Sequence, residues 1–145
     1  MKTEETNPAH WLMFGAERLR AADALFAALG ITPSVVELLQ ESVERNLKGY
    51  LIAQAWPLQK IHNLAILLDH AVLFDARFDA FSDLCEELTS QFWSQHYPGA
   101  DFTGVGSNYR DLRRQAGELV ALILSAVPPP SGTKPSEEKN QIAEV

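Results

Sequence analysis

The stretch TPSVVELLQESVERNLKGY, residues 32–50, decides the fold class. Val36, Leu39, Val43, Leu47 and Tyr50 recur at steps of three and four, which lines one face of an α-helix and no face of a strand. Thr32-Pro33-Ser34 opens the helix, with Ser34 and Glu37 at capping-box spacing. Beside the apolar stripe, Glu41 stands four residues before Arg45, and Glu44 four before Lys48. That acid-first order favours ion pairs on a helix surface.

The same period extends in both directions. Upstream, Asn7 is a good N-cap and Pro8 suits the first helical position. Leu12, Ala16, Leu19, Ala22, Phe26 and Leu29 then share a face until Gly30, a residue suited to the left-handed end of a helix. Downstream, Trp56-Pro57 breaks the pattern, and a short third helix is expected around Ile61, Leu64, Leu68 and Ala71. Phe78, Phe81, Cys85, Leu88 and Phe92 predict a fourth, ending before Tyr97-Pro98-Gly99. The segment 100–107, with Gly104 and Gly106, reads as a flexible loop. Asn108 is expected to cap the last helix, whose stripe is Tyr109, Leu112, Ala116, Leu119 and Ile123. Pro128-Pro129-Pro130 stops it.

No segment alternates with period two, and no repeat of solenoid length is present. Short links between amphipathic helices predict an all-α, up-down antiparallel bundle of four to five helices. The expected organisation is a flexible N-terminus over 1–7, a helical bundle over 8–127 and a disordered tail over 128–145, rich in serine, glutamate and lysine.

Bulk properties narrow the function classes. A chain of 145 residues with 46% hydrophobic and 21% charged content buries a core without staples. Cys85 is the one cysteine, so the chain forms no internal disulfide and no thiolate zinc site, which suits a reducing cytoplasm. The start Met1-Lys2-Thr3-Glu4-Glu5-Thr6 lacks the apolar run of a signal peptide. No stretch approaches the ~18 uninterrupted apolar residues of a membrane span. A net charge of −7 opposes non-specific nucleic-acid binding, which depends on cations neutralising phosphates. The charge is segregated: residues 69–87 are the most acidic segment, while Arg110, Arg113 and Arg114 gather at the start of the last helix.

No complete catalytic motif is present. His10, His62, His70 and His96 include no pair at tight metal-ligand spacing, and neither a metal nor a cofactor is implied. His62 and Asp69, two helical turns apart, could share a face. Asp75, Asp79 and Asp83 recur every four residues and read as a solvated helix face. Gly104-Val105-Gly106 lacks the following lysine and hydroxyl of a phosphate loop. Cys85 lies in phase with an apolar stripe and reads as core. The cluster 91–98, Gln91 to Pro98, is the richest in chemistry: it places amide, imidazole and phenol groups at a helix end. Its histidine can serve as a general base on a hydroxyl; equally, the cluster is a helix end followed by a proline stop.

The order of these segments resembles the HEPN family, named for nucleotide binding in higher eukaryotes and prokaryotes. The resemblance is carried by the tryptophan-containing opening helix from Trp11 to Asp23 and by Gln40 to Lys48, with glutamine, glutamate and lysine on one side. It continues in Lys60-Ile61-His62-Asn63-Leu64, similar to a Lys-x-His-Asp-Leu phrase, and in the Tyr97-Pro98 pair that closes the fourth helix. It covers residues 8–127.

The resemblance implies a helical bundle, often a homodimer, similar in small bacterial members to the partners of minimal nucleotidyltransferases in toxin–antitoxin pairs. Catalytic members are metal-independent ribonucleases whose signature arginine precedes a histidine by about four to six residues, the histidine activating the 2′-hydroxyl and the arginine stabilising developing charge. In this chain Gln91 stands where the arginine should precede His96. A neutral amide donates a hydrogen bond but clamps no phosphate charge. The resemblance therefore points to a non-catalytic module that binds a nucleotide, RNA or a nucleotidyltransferase partner. His96, Tyr97 and Gln91 are the candidates for residual catalysis, and Lys48, His62, His96, Tyr97, Arg110 and Arg113 are those for ligand contact. A divergent ribonuclease using His96 and a purely structural scaffold are the competing readings.

Overall fold

The computed structural model describes residues 4–95 and 103–127. Among these the fold is an all-α bundle of five helices with no strand. No helix in the described residues is long and apolar enough to cross a membrane. His96, Tyr97 and the tail 128–145 lie outside the described residues.

Helix α1 spans Pro8–Leu29. Asn7 caps it as expected, its Oδ1 accepting from Ala9 N at 3.1 Å, and Pro8 takes the first turn, where a missing N–H costs nothing. Gly30 ends it at φ +75°, donating its N–H to Phe26 O.

Helix α2, Pro33–Ala53, is capped by Thr32, whose Oγ1 accepts from Val35 N at 3.3 Å. The cap is Thr32 and not Ser34, because Pro33 occupies the first helical position and leaves the cap to the residue before it; with Val35 at the third helical position the Ser34–Glu37 capping box gives way to a simple N-cap. This helix is the hub, touching α1, α3, α4 and α5. It is accordingly buried nearly all round: Val35, Val36, Leu39, Val43, Leu47, Tyr50 and Leu51 join the core, and Gln40, Ser42, Asn46 and Lys48 are buried beside them. The polar side expected to face solvent is thus covered, and Glu41 pairs with Arg18 of α1 at 2.8 Å and not with Arg45. Only the Glu44–Lys48 pair forms as its spacing suggests, at 2.8 Å.

A Schellman closure ends α2. Trp56 N donates to Leu51 O at 3.0 Å and Ala55 N to Ile52 O at 3.0 Å, with Ala55 in the left-handed region at φ +66°. Helix α3, Leu64–Phe74, begins later than the Ile61 phase suggests, because Asn63 caps it by accepting from Ile66 N at 3.1 Å. His62 therefore precedes the helix and shares no helical face with Asp69.

Asp75 ends α3 and caps a 3-10 turn over Ala76–Phe81, which runs into α4, Ser82–Gln95. The row read at Asp75, Asp79 and Asp83 is thus split between a cap, a 3-10 turn and an α-helix and lines no common face. Phe78 and Phe81 still reach the core with Leu84, Cys85 and Leu88.

Helix α5, Thr103–Ala126, starts before Asn108, so that residue lies inside the helix and does not cap it, and Gly104 and Gly106 are helical. Two glycines cost about 1 kcal/mol each, a sum the buried stripe of Tyr109, Leu112, Ala116, Leu119 and Ile123 can outweigh.

Candidate functional site

Gln40, Glu44 and Lys48 follow one another at four-residue steps on α2, and the chain before α3 is bound to that row. Glu44 Oε2 lies 2.8 Å from Lys48 Nζ and 2.9 Å from His62 Nδ1. Gln40 Nε2 donates to the carbonyl of His62 at 3.4 Å. One carboxylate therefore serves a buried ammonium, its side chain 4% exposed, and an imidazole at the surface, its side chain 71% exposed. A carboxylate on Nδ1 fixes the proton there and leaves Nε2 as the basic nitrogen.

Trp11 closes the row from α1. Its ring centroid is 5.5 Å from Lys48 Nζ, a cation–π distance, and its Nε1 donates to Glu5 O at 2.8 Å. The two helices meet here at close range because Gly49 lies against Leu12 and Gly15 against Asn46. Ser42 Oγ donates to Gly15 O at 2.7 Å, and Asn46 Nδ2 donates to Ser42 O at 2.8 Å.

Arg110 and Arg113 turn toward α1, whereas Arg114 pairs with Asp111 and Glu118 on its own helix. Arg113 binds Asp23 through Nε at 2.7 Å and Nη2 at 2.9 Å, a bidentate pair that raises the guanidinium pKa. Arg110 lies 4.9 Å from the centroid of Phe26, which itself packs on Tyr109 at 4.8 Å. Burial, with Asp23 nearby, pushes the Tyr109 phenol up to about 12. Gln91 donates from Nε2 to Glu87 on its own helix at 2.8 Å.

The candidates from sequence thus separate. Lys48 and His62 are joined through Glu44, while Arg110 and Arg113 lie along the α1–α5 seam. The set omits Trp11, Glu44 and Arg45. The signal that finds Glu44 is its place midway between Gln40 and Lys48. Trp11 and Arg45 become visible only once α1 is laid antiparallel on α2. Among the described residues, no cluster of three or more His, Cys, Asp or Glu side chains could hold a metal ion.

This arrangement brings two separate stretches of the sequence together. The Gln40–Lys48 row and the Lys60–Leu64 phrase are two sides of one contact, with His62 bonded to the row, Asn63 capping α3 and Leu64 fully buried. A family model described as the HEPN domain matches residues 9–126. The chain belongs to the HEPN domain family. The match runs from the first helix to the end of the last, so the whole described bundle is the HEPN domain. Comparison of this HEPN domain with curated proteins and with solved structures returned no match.

Proposed function

We propose that this HEPN domain is a dimeric, non-catalytic binding module that takes a nucleotide or a minimal nucleotidyltransferase partner, in a toxin–antitoxin-like pairing. The observation that carries the reading is Gln91. It stands at the signature position for an arginine, five residues before His96, and its amide is committed to the carboxylate of Glu87. A metal-independent ribonuclease needs positive charge against the phosphate as it becomes pentacoordinate, and losing such a donor costs about 10²–10³ in rate. A neutral amide tied to an anion supplies no such charge. The net charge of −7 also favours a compact ligand or a protein partner over a long phosphate backbone.

The test compares RNA cleavage by the wild type, His96→Ala and Gln91→Arg, alongside nucleotide titration calorimetry and sedimentation equilibrium. The reading expects no cleavage by the wild type above the His96→Ala background, a dimer, and heat on adding a nucleotide or a neighbouring-gene nucleotidyltransferase. Cleavage that vanishes in His96→Ala would establish the divergent ribonuclease instead. A monomer that binds neither nucleotide nor nucleotidyltransferase would leave only a scaffold.

A further inference from the structure

Helix α1 rearranges the charges of α2. Because Arg18 takes Glu41, Arg45 has no ion pair or hydrogen bond among the described residues, although it is only half-exposed. It faces a pocket of about 270 Å³ whose other walls are Glu5, His10, Trp11 and Phe14. His10, Trp11 and Phe14 occupy one turn of α1, so two aromatic rings stand beside the uncommitted guanidinium.

The Trp11 half of the wall is held in place. Trp11 is fixed by its bond to Glu5 O and by the Lys48 ammonium near its ring. Phe14 is 45% exposed, a large apolar side chain with no core to join. Stacking a flat ring on this wall would remove apolar surface from water, and a guanidinium is suited to carboxylate or phosphate. The volume is near the lower end for small-molecule sites, room for one ring system and one anionic group. Glu5 on the same rim disfavours a ligand that is anionic throughout and favours one whose ring carries an N–H donor.

We propose that this pocket binds a small planar aromatic anion, its ring against Trp11 and Phe14 and its anionic group on Arg45. A mononucleotide and an aromatic carboxylate share that chemistry. For the mononucleotide the inference rests on the nucleotide-binding reading above and gives it a location away from Gln91.

The experiment follows the Trp11 indole N–H by NMR, assigned with Trp11→Phe, while AMP, indole-3-acetate, adenosine and inorganic phosphate are titrated separately into the full chain. AMP or indole-3-acetate should shift the Trp11 resonance, with adenosine and phosphate each binding far more weakly. Arg45→Gln and Phe14→Ala, both at accessible positions, should each weaken the bound anion by about tenfold or more. Response to indole-3-acetate alone would establish the pocket while removing the nucleotide as its ligand. AMP binding that is unchanged in Arg45→Gln, with Trp11 unshifted by AMP and by indole-3-acetate alike, would overturn the pocket and leave nucleotide binding elsewhere intact. No Trp11 shift with any of the four probes would overturn the proposal.

Discussion

Gly15 and Asn46 meet so closely across the α1–α2 seam that a Cβ on the glycine would stand 2.4 Å from Asn46 Nδ2 and 2.8 Å from Cγ. Asn46 cannot step aside freely, because its amide is bonded to Ser42 O and Ser42 Oγ. Gly15→Ala should therefore destabilise the fold by about 1–3 kcal/mol, despite the roughly 1 kcal/mol that alanine gains in helix propensity. Thermal or urea unfolding checks the sign, and a more stable variant would mean the seam is looser than described.

The Glu44–Lys48 pair is the next point of test. With side chains 13% and 4% exposed, removing Glu44 leaves the Lys48 charge in poor contact with water, and removing Lys48 leaves the Glu44 carboxylate with only the exposed His62 beside it. Lys48→Met should cost about 3 kcal/mol. The double variant Lys48→Met with Glu44→Leu should recover part of that loss, since it strands no charge. Urea midpoints of the single and double variants decide the matter.

Arg77 holds the Asp75 carboxyl below the usual carboxylate range, chiefly through its side-chain hydrogen bonds, with its backbone N–H adding to the effect. A carboxyl with a depressed folded-state pKa stabilises fully above its unfolded value. That contribution is lost as pH falls through the folded value, so the window lies below about pH 4. Asp75→Asn should flatten this part of the acid unfolding curve while leaving the region near neutrality unchanged in slope. An identical acid limb in both proteins would show that the pair contributes nothing.

Cys85 should behave as an inert thiol. Burial pushes it up to about 12, with Asp69 and Glu86 adding to the shift. At pH 8 about one such thiol in 10⁴ is ionised, and the thiolate is the reactive form. Labelling with a disulfide reagent should wait for unfolding, then proceed at the rate of an ordinary cysteine in guanidinium. Fast labelling of the folded protein would contradict the packing around α4.

Local signals that stop and start a helix were legible in the sequence wherever one residue decides them. Asn7, Pro8 and Gly30 bound α1 as expected, and the buried stripe of α5 is the one its period marks. Ambiguity entered where two signals compete. Thr32 and Ser34 are both competent caps, and only Pro33 between them selects the first. Gly104 and Gly106 look like breakers in isolation, whereas the helix runs through them. The candidate site was less legible, because burial of a polar row is a tertiary property. Nothing local to Lys48 says that Trp11 will cover it, and nothing local to Glu41 says that Arg18 will outcompete Arg45.

Helix α1 buries only Gly15 and Ala22, and its two ends are secured differently. Toward Gly30 it is fastened to α5 by Asp23–Arg113 and by Phe26 on Tyr109, while its first turns, carrying Trp11 and Phe14, rest on α2. Backbone amides near Trp11 should consequently exchange with deuterium by a shallow detachment that spares the hub helix, ahead of those near Phe26. A molecule seated beside Arg45 would close that opening by mass action, so slowed exchange in this one segment would be the imprint of an occupant.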